Sequence, residues 1–445
     1  MSDHTSPDEP DREPTTEPTP VEPEPQLPLL TLRDGLPPVT DTAERLAEAC
    51  AAIAAGTGPV ALDAERASGY RYSNRAYLIQ LRREGSGTWL VDPVAFDSLA
   101  PLADALAGTE WILHAATQDL PCLADVGLRP SELFDTELAG RLLGYPRVGL
   151  ATLVETVLGR RLKKEHSAVD WSRRPLPAPW LEYAALDVEV LVELRDALAA
   201  QLEEQGKAEW ARQEFEHLLD FAPTPRADAW RRTSGMHRIR GRRGLGAVKA
   251  LWEARDALAE RRDVTPGRII PDAAIVAAAQ EMPTDRDSLL STKGFHGRGA
   301  ERYASRWVAA LREVLGLDED ALPSRAPRHD GPPLPRAWAE RDPVAARRLT
   351  LAREAMAQLA EEHDLPVENL LTPDYLRRVL WSPPPVRDPQ SLAAAVDAAL
   401  AQLGARAWQI ELTGHVITRA ILDADAADGT TEASTEASTE GTSDA

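Results

Sequence analysis

Five side chains in this chain could do chemistry together if folding brought them to one place. Asp63 and Glu65 stand two residues apart, directly after the apolar run Val60-Ala61-Leu62. On a strand they would share one face. Two carboxylates crowded at the end of a buried strand repel each other unless protons or cations compensate, and hard oxygen ligands of this kind suit Mg²⁺ or Mn²⁺. Taken alone, Asp-x-Glu fits a strand entering a charged loop equally well. Asp119 follows the short stretch Trp111-Ile112-Leu113-His114, where capping the next helix is the competing role. Tyr183 and Asp187 lie four apart in a helical stretch and so neighbour each other on one helix face. Each piece is weak alone; the ordered combination within about 125 residues is more specific.

Elements that would position these groups can be read from periodicity. Asp41-Thr42-Ala43-Glu44 reads as a helix start with the acid at the cap, and Gly56 as its end. The strand bearing Asp63 and Glu65 follows, then strands at Ala76–Leu81 and Thr88–Val91 joined by the turn Glu84-Gly85-Ser86-Gly87. That is an antiparallel meander. Beyond it helices and strands alternate: a helix near 96–106, a strand at 111–113, a helix from about Asp119 and a strand near 133–134. A meander followed by βαβα units implies a mixed sheet with helices on both faces. Residues 136–221 are helical in pattern.

The net charge of −21 is unevenly placed. Residues 1–28 and 423–445 together supply −14, which leaves −7 for the rest of the chain. Pro-rich or Thr/Ser/Glu-rich acidic tails lack the apolar content to fold and are expected to be disordered. No basic segment followed by an apolar core opens the chain, no stretch is long enough to span a bilayer, and Cys50 and Cys122 form neither a metal pattern nor a disulfide framework. A cytoplasmic protein is expected. Trp230 to Arg243 holds six arginines (Arg231, Arg232, Arg238, Arg240, Arg242 and Arg243) and no acid. Such a run can neutralise phosphates and gain from counterion release, or it can brace two domains. Blocks at 258–272 and 359–374 resemble each other at an offset of about one hundred residues, which suggests two copies of one small helical domain.

Several stretches carry a family likeness: Ala61-Leu62-Asp63-Ala64-Glu65, Leu78-Ile79-Gln80-Leu81, His114 to Leu120, Phe134-Asp135-Thr136, Asp170-Trp171-Ser172-Arg173-Arg174-Pro175-Leu176, and Leu181 to Val188. In these the chain resembles the ribonuclease D family, in the DEDD superfamily of 3′→5′ exonucleases with a tyrosine in the last motif. The likeness covers roughly 57–215, and the block from Trp230 to about Leu315 resembles an HRDC domain. It implies an α/β ribonuclease H-like exonuclease domain at 29–221, an HRDC domain at 230–315 and a second HRDC-like all-α domain at 338–422, with linkers at 222–229 and 316–337. It further implies two divalent ions (Mg²⁺ or Mn²⁺) held by Asp63, Glu65, Asp119 and Asp187, with Tyr183 positioning the attacking water. Products would be nucleoside 5′-monophosphates from RNA bearing a single-stranded 3′ end, tRNA precursors among them, and the protein would act as a monomer. A DNA exonuclease and a catalytically silent binding protein are the rival readings. Arg66 stands where family members often carry an aromatic or apolar residue. Lys164 is a candidate phosphate contact beside Lys163, although a solvated basic surface explains both. His114, and Asp170 paired with Arg174, read as structural.

Overall fold

The computed structural model describes residues 27–163, 168–224, 227–325 and 331–440. The first domain is built on a six-stranded mixed sheet. Its strands are β1 (Val39–Thr40), β2 (Thr57–Arg66), β3 (Ala76–Glu84), β4 (Gly87–Val91), β5 (Glu110–Leu113) and β6 (Glu132–Asp135), in spatial order β1-β4-β3-β2-β5-β6. The expected meander is present: β2 pairs antiparallel with β3, and β3 with β4, while β5 and β6 run parallel to β2. β2 is therefore central and must be apolar on both faces, which is why it reads as a continuous run before its acids. Val60, Leu62 and Ala64 point into one core layer, beneath helices α1 (Ala43–Ala55), α2 (Ala100–Leu106) and α3 (Leu120–Asp125). Ala61 points to the opposite layer, so Asp63 and Glu65 emerge on that second face.

The second face is covered by α4 (Thr136–Leu142), α5 (Leu150–Leu158), α6 (Ala178–Glu189), α7 (Leu191–Glu204) and α8 (Ala208–Leu219). α6 lies against β2, β3 and β4, and its fully buried Ala184 and Ala185 let it come close to the sheet. One cap differs from the sequence reading. Thr42, not Asp41, caps α1, its hydroxyl accepting the Arg45 N–H. Asp41 lies one residue too early for that geometry.

The second domain comprises α9 (Gly241–Arg262), α10 (Asp272–Glu281), α11 (Arg286–Ser291), α12 (Arg298–Arg302) and α13 (Ala304–Leu315), around its own core with Trp230, Phe295 and Trp307. The third comprises α14 (Trp338–Arg341), α15 (Pro343–Glu362), α16 (Val367–Leu370), α17 (Pro373–Trp381), α18 (Pro389–Leu403) and α19 (Ala407–Glu440). Two expected boundaries move. Residues 316–325 are not a free linker, because Leu322 is buried against the second domain and Arg242 and Arg243 hold the neighbouring carbonyls. Helix α19 also continues past Leu422, with Ala424 fully buried and Asp425 paired with Arg348 and Arg387. Alanine and glutamate favour a helix once one turn is anchored in this way.

The domains dock differently. The third shares one hydrophobic cluster with α4, α7 and α8, and Trp408 stacks on Trp210 at 5.0 Å. The second touches the β2–β3 loop, where Asp263 accepts the Ser73 N–H at 2.9 Å and the Tyr72 N–H at 3.2 Å.

Candidate active site

Asp63, Glu65, Asp119, Tyr183 and Asp187 line one open pocket of about 530 Å³, together with Arg66, His114, Gln118 and Lys163. β2 delivers Asp63 and Glu65, and α6 brings Asp187 over the same face of the sheet. One carboxylate oxygen from each of these three acids lies within 4.8 Å of the others. Asp119 occupies the N-cap position of α3, yet its side chain caps nothing, and it lines the pocket instead. The capping role weighed from sequence is thus not the one adopted.

The turn carrying Asp119 is held by Asp135. That carboxylate accepts the Ala115 and Ala116 N–H groups at 3.1 and 2.8 Å, and also the Glu137 and Leu138 N–H groups at the start of α4. Ala115 takes a left-handed conformation (φ 60°), which these bonds maintain. His114 Nδ1 is bonded to the Thr136 hydroxyl at 2.9 Å, and burial lowers its pKa to about 4, so the ring is neutral near pH 7.

The electrostatics are severe. Burial, then the charges of Asp63, Asp187 and Asp119, push the Glu65 carboxyl up to about 10. Burial raises Asp63, Asp119 and Asp187 as well. Tyr183 hydrogen-bonds to the Asp187 carboxylate, and desolvation with the nearby acids raises its phenol further above its ordinary value. A half-buried, all-oxygen, multiply acidic donor set of this kind fits a hard divalent cation.

The structure also shows roles the sequence reading did not assign. Arg66 donates to the Gln118 carbonyl at 2.7 Å and pairs with Asp119 at 3.5 Å. Gln80 sits directly across the ladder from Asp63, fully buried, and among the described residues neither amide atom has a hydrogen-bond partner. A glutamine within an apolar strand was the available signal for it. Arg174 does not pair with Asp170. It clamps Asp92 and the Tyr77 carbonyl, while Asp170 accepts from Ser172, so both are structural but with different partners.

The arginine run divides. Arg242 donates to the carbonyls of Leu322 and Pro323, and Arg243 to those of Val314, Leu315 and Leu317, so both guanidinium groups are anchored inside the second domain. Arg231 pairs with Asp228 and lies over the Trp230 ring, and Arg238 bonds Gln280. Arg232 and Arg240 are exposed, and Arg240 lines a pocket of about 590 Å³ with Arg231, His237 and Arg325. Lys164 lies outside the described residues.

Comparison with known proteins matches this architecture piece by piece. Residues 38–203 match the family described as 3′-5′ exonuclease, 244–311 the HRDC domain, and 331–421 the 3′ to 5′ exonuclease C-terminal domain. The third domain, expected as a second HRDC-like copy, therefore has a family description of its own. Ribonuclease D of Granulibacter bethesdensis is 32% identical over 290 residues, which cover 63% of this chain and 70% of that protein. Ribonuclease D of Gluconacetobacter diazotrophicus is 30% identical, covering 73% and 82%. Among solved structures, a protein from Bifidobacterium adolescentis superposes with a TM-score of 0.80 at 37% identity, covering 89% of this chain and 99% of its own. Escherichia coli RNase D, described as an exoribonuclease involved in structured RNA processing, gives 0.60 at 26% identity, covering 82% and 98%. With the acids of β2 and α6 converging in a 3′-5′ exonuclease domain, and with this degree of likeness along the chain, the protein belongs to the ribonuclease D family.

Proposed function

We propose that the chain removes nucleoside 5′-monophosphates one at a time from the 3′ end of RNA, and that Asp63, Glu65, Asp119 and Asp187 hold two divalent ions, Mg²⁺ or Mn²⁺. The observation that carries this reading is the meeting of those four acids with Tyr183 in one open pocket. Bound there, the ions would offset charge on the attacking and leaving oxygens of a phosphodiester displacement. The chain's own part is positioning. Tyr183 stays protonated and donates to Asp187, so it is suited to orienting a water and not to taking its proton. His114, neutral and held by Thr136, shapes the rim without adding charge.

The likeness to ribonuclease D proteins supports RNA as the substrate class. RNAs with single-stranded 3′ tails, such as tRNA precursors, are the substrates we assign, with the protein acting as a cytoplasmic monomer. Among the described residues no helix is long and apolar enough to cross a membrane. Arg232, Arg238 and Arg240, the exposed members of the run, are the arginines we assign to RNA contact, since Arg231, Arg242 and Arg243 are anchored by partners inside the second domain. The direct test is a time course with a 5′-labelled RNA carrying a short 3′ tail, beside DNA of the same sequence. It is run with Mg²⁺, with Mn²⁺ and with EDTA. A metal-dependent ladder shortening from the 3′ end of RNA is expected; faster shortening of the DNA, or none of either, would overturn the reading.

A further inference from the structure

The pocket has an uneven charge arrangement. Asp63, Glu65 and Asp187 already present oxygens close enough for one ion, and Asp119 stands outside that trio. The group beside Asp119 is Arg66, whose guanidinium is fixed by the Gln118 carbonyl at 2.7 Å and faces the Asp119 carboxylate at 3.5 Å. Strand alternation would send Arg66 to the other face from Glu65. A break in the β2–β3 register between Glu65 and Arg66 removes that constraint, and Arg66 lines the same pocket. Asp119 is nearly buried, with its side chain 6% exposed, and Arg66 is 26% exposed, so the pair is shielded from screening on one side and reachable on the other.

We infer that Arg66 is a built-in counter-cation for Asp119, which reserves the fourth carboxylate and makes a second divalent ion bind far more weakly than the first when no nucleic acid is present. This rests on the reading of the four acids as metal ligands. Formal charge supports it. Fully ionised, as ligands to metal, the four carboxylates carry −4; two divalent ions with the guanidinium bring +5, an excess that one phosphodiester, at −1, removes. Without substrate, one ion beside Arg66 leaves the pocket at −1, and a second drives it positive. Replace Arg66 by a neutral residue and two ions balance the four acids with no substrate present. Lys163 lines the same pocket at its exposed rim and is unchanged in every variant, so it adds equally to each of these charge states.

The test is a Mn²⁺ titration of the full metal-free chain, followed by the electron paramagnetic resonance signal of the free ion, for wild type, Arg66→Leu, Arg66→Lys and Asp187→Asn. Wild type should bind one Mn²⁺ and a second at least about tenfold more weakly. In Arg66→Leu the second site should tighten at least about tenfold relative to the first, whereas Arg66→Lys should follow wild type. Equal tightening of both sites, or an unchanged second site in Arg66→Leu, would sink the inference while leaving the metal reading intact. Wild type that binds no more Mn²⁺ than Asp187→Asn would overturn the metal reading and this inference with it. Circular dichroism of each variant separates lost binding from lost fold.

Discussion

Asp63 faces Gln80 across the ladder and shares its side of the sheet with Glu65 and Asp187, in a place where burial, ahead of any neighbouring charge, raises all three carboxyls. Such a cluster costs stability when no cation is present, as strained functional sites commonly do. Asp63→Asn removes one of the repelling charges. In EDTA, the variant should melt higher than wild type by a few degrees, corresponding to about 1 kcal/mol. Its exonuclease rate should fall by about 10²–10³ or more. Differential scanning fluorimetry beside the gel assay checks both halves. His114 gives a separate signature. Its folded pKa of about 4 lies below the ordinary 6.5, so between those values the unfolded chain takes up a proton that the folded chain refuses. This group's contribution to stability is therefore full above pH 6.5 and is lost as pH falls towards 4, by on the order of 3 kcal/mol. An imidazole resonance for His114 titrating near 6.5 in the folded protein would contradict this. His114→Gln should flatten the stability profile across the same window.

Helix α9 meets the loop after the active-site strand through Asp256 and through Asp263, the residue that caps its end. Asp263 takes a left-handed conformation (φ 45°), tolerable for an aspartate, and aims its carboxylate at the Tyr72 and Ser73 amides in the loop that follows Glu65 and Arg66. Tyr72 donates its hydroxyl to Asp256 at 3.0 Å, and Arg268 lies over Tyr70 at 4.3 Å. The second domain thereby braces the loop joining β2 to β3. Asp263→Ala leaves two amides without their acceptor, at a cost of about 1–3 kcal/mol. Hydrogen exchange at Tyr72 and Ser73 should speed by about 10- to 100-fold, with the central strand β2 unchanged. Asp263→Asn, which keeps one acceptor oxygen, should show a smaller change. Exchange at those two amides that matches wild type in Asp263→Ala would show that the loop holds itself.

The molecule divides by its cores rather than by its order along the chain. The first and third domains share one apolar cluster. Trp408 donates to Glu214 at 2.9 Å, and Arg406 pairs with the same carboxylate at 2.7 Å. The second domain, inserted between them in sequence, has a separate core. Shared burial couples unfolding, so calorimetry of the full chain should show the first and third domains melting together and the second as its own transition. Trp408→Ala should destabilise the joint transition by about 3–5 kcal/mol and leave the other in place. A shift of both transitions by the same amount would mean one cooperative unit.

Local pattern accounts for much of this architecture. Alternation after Val60-Ala61-Leu62 put Asp63 and Glu65 on one face, the i, i+4 spacing put Tyr183 beside Asp187, and turn residues marked the meander, because these depend on periods of two and 3.6 within a few residues. What tertiary structure decided depends on contacts between distant segments. Asp119 could cap a helix or face a pocket, and only the turn tied down by Asp135 settled its direction. The six arginines look alike in sequence, but carbonyls some 70 to 80 residues away took up Arg242 and Arg243. Arg66 reads as an isolated departure until the strand register changes beside it and Asp119 arrives from across the sheet. A charge's role depends on which partners burial supplies, and those partners are chosen by the fold.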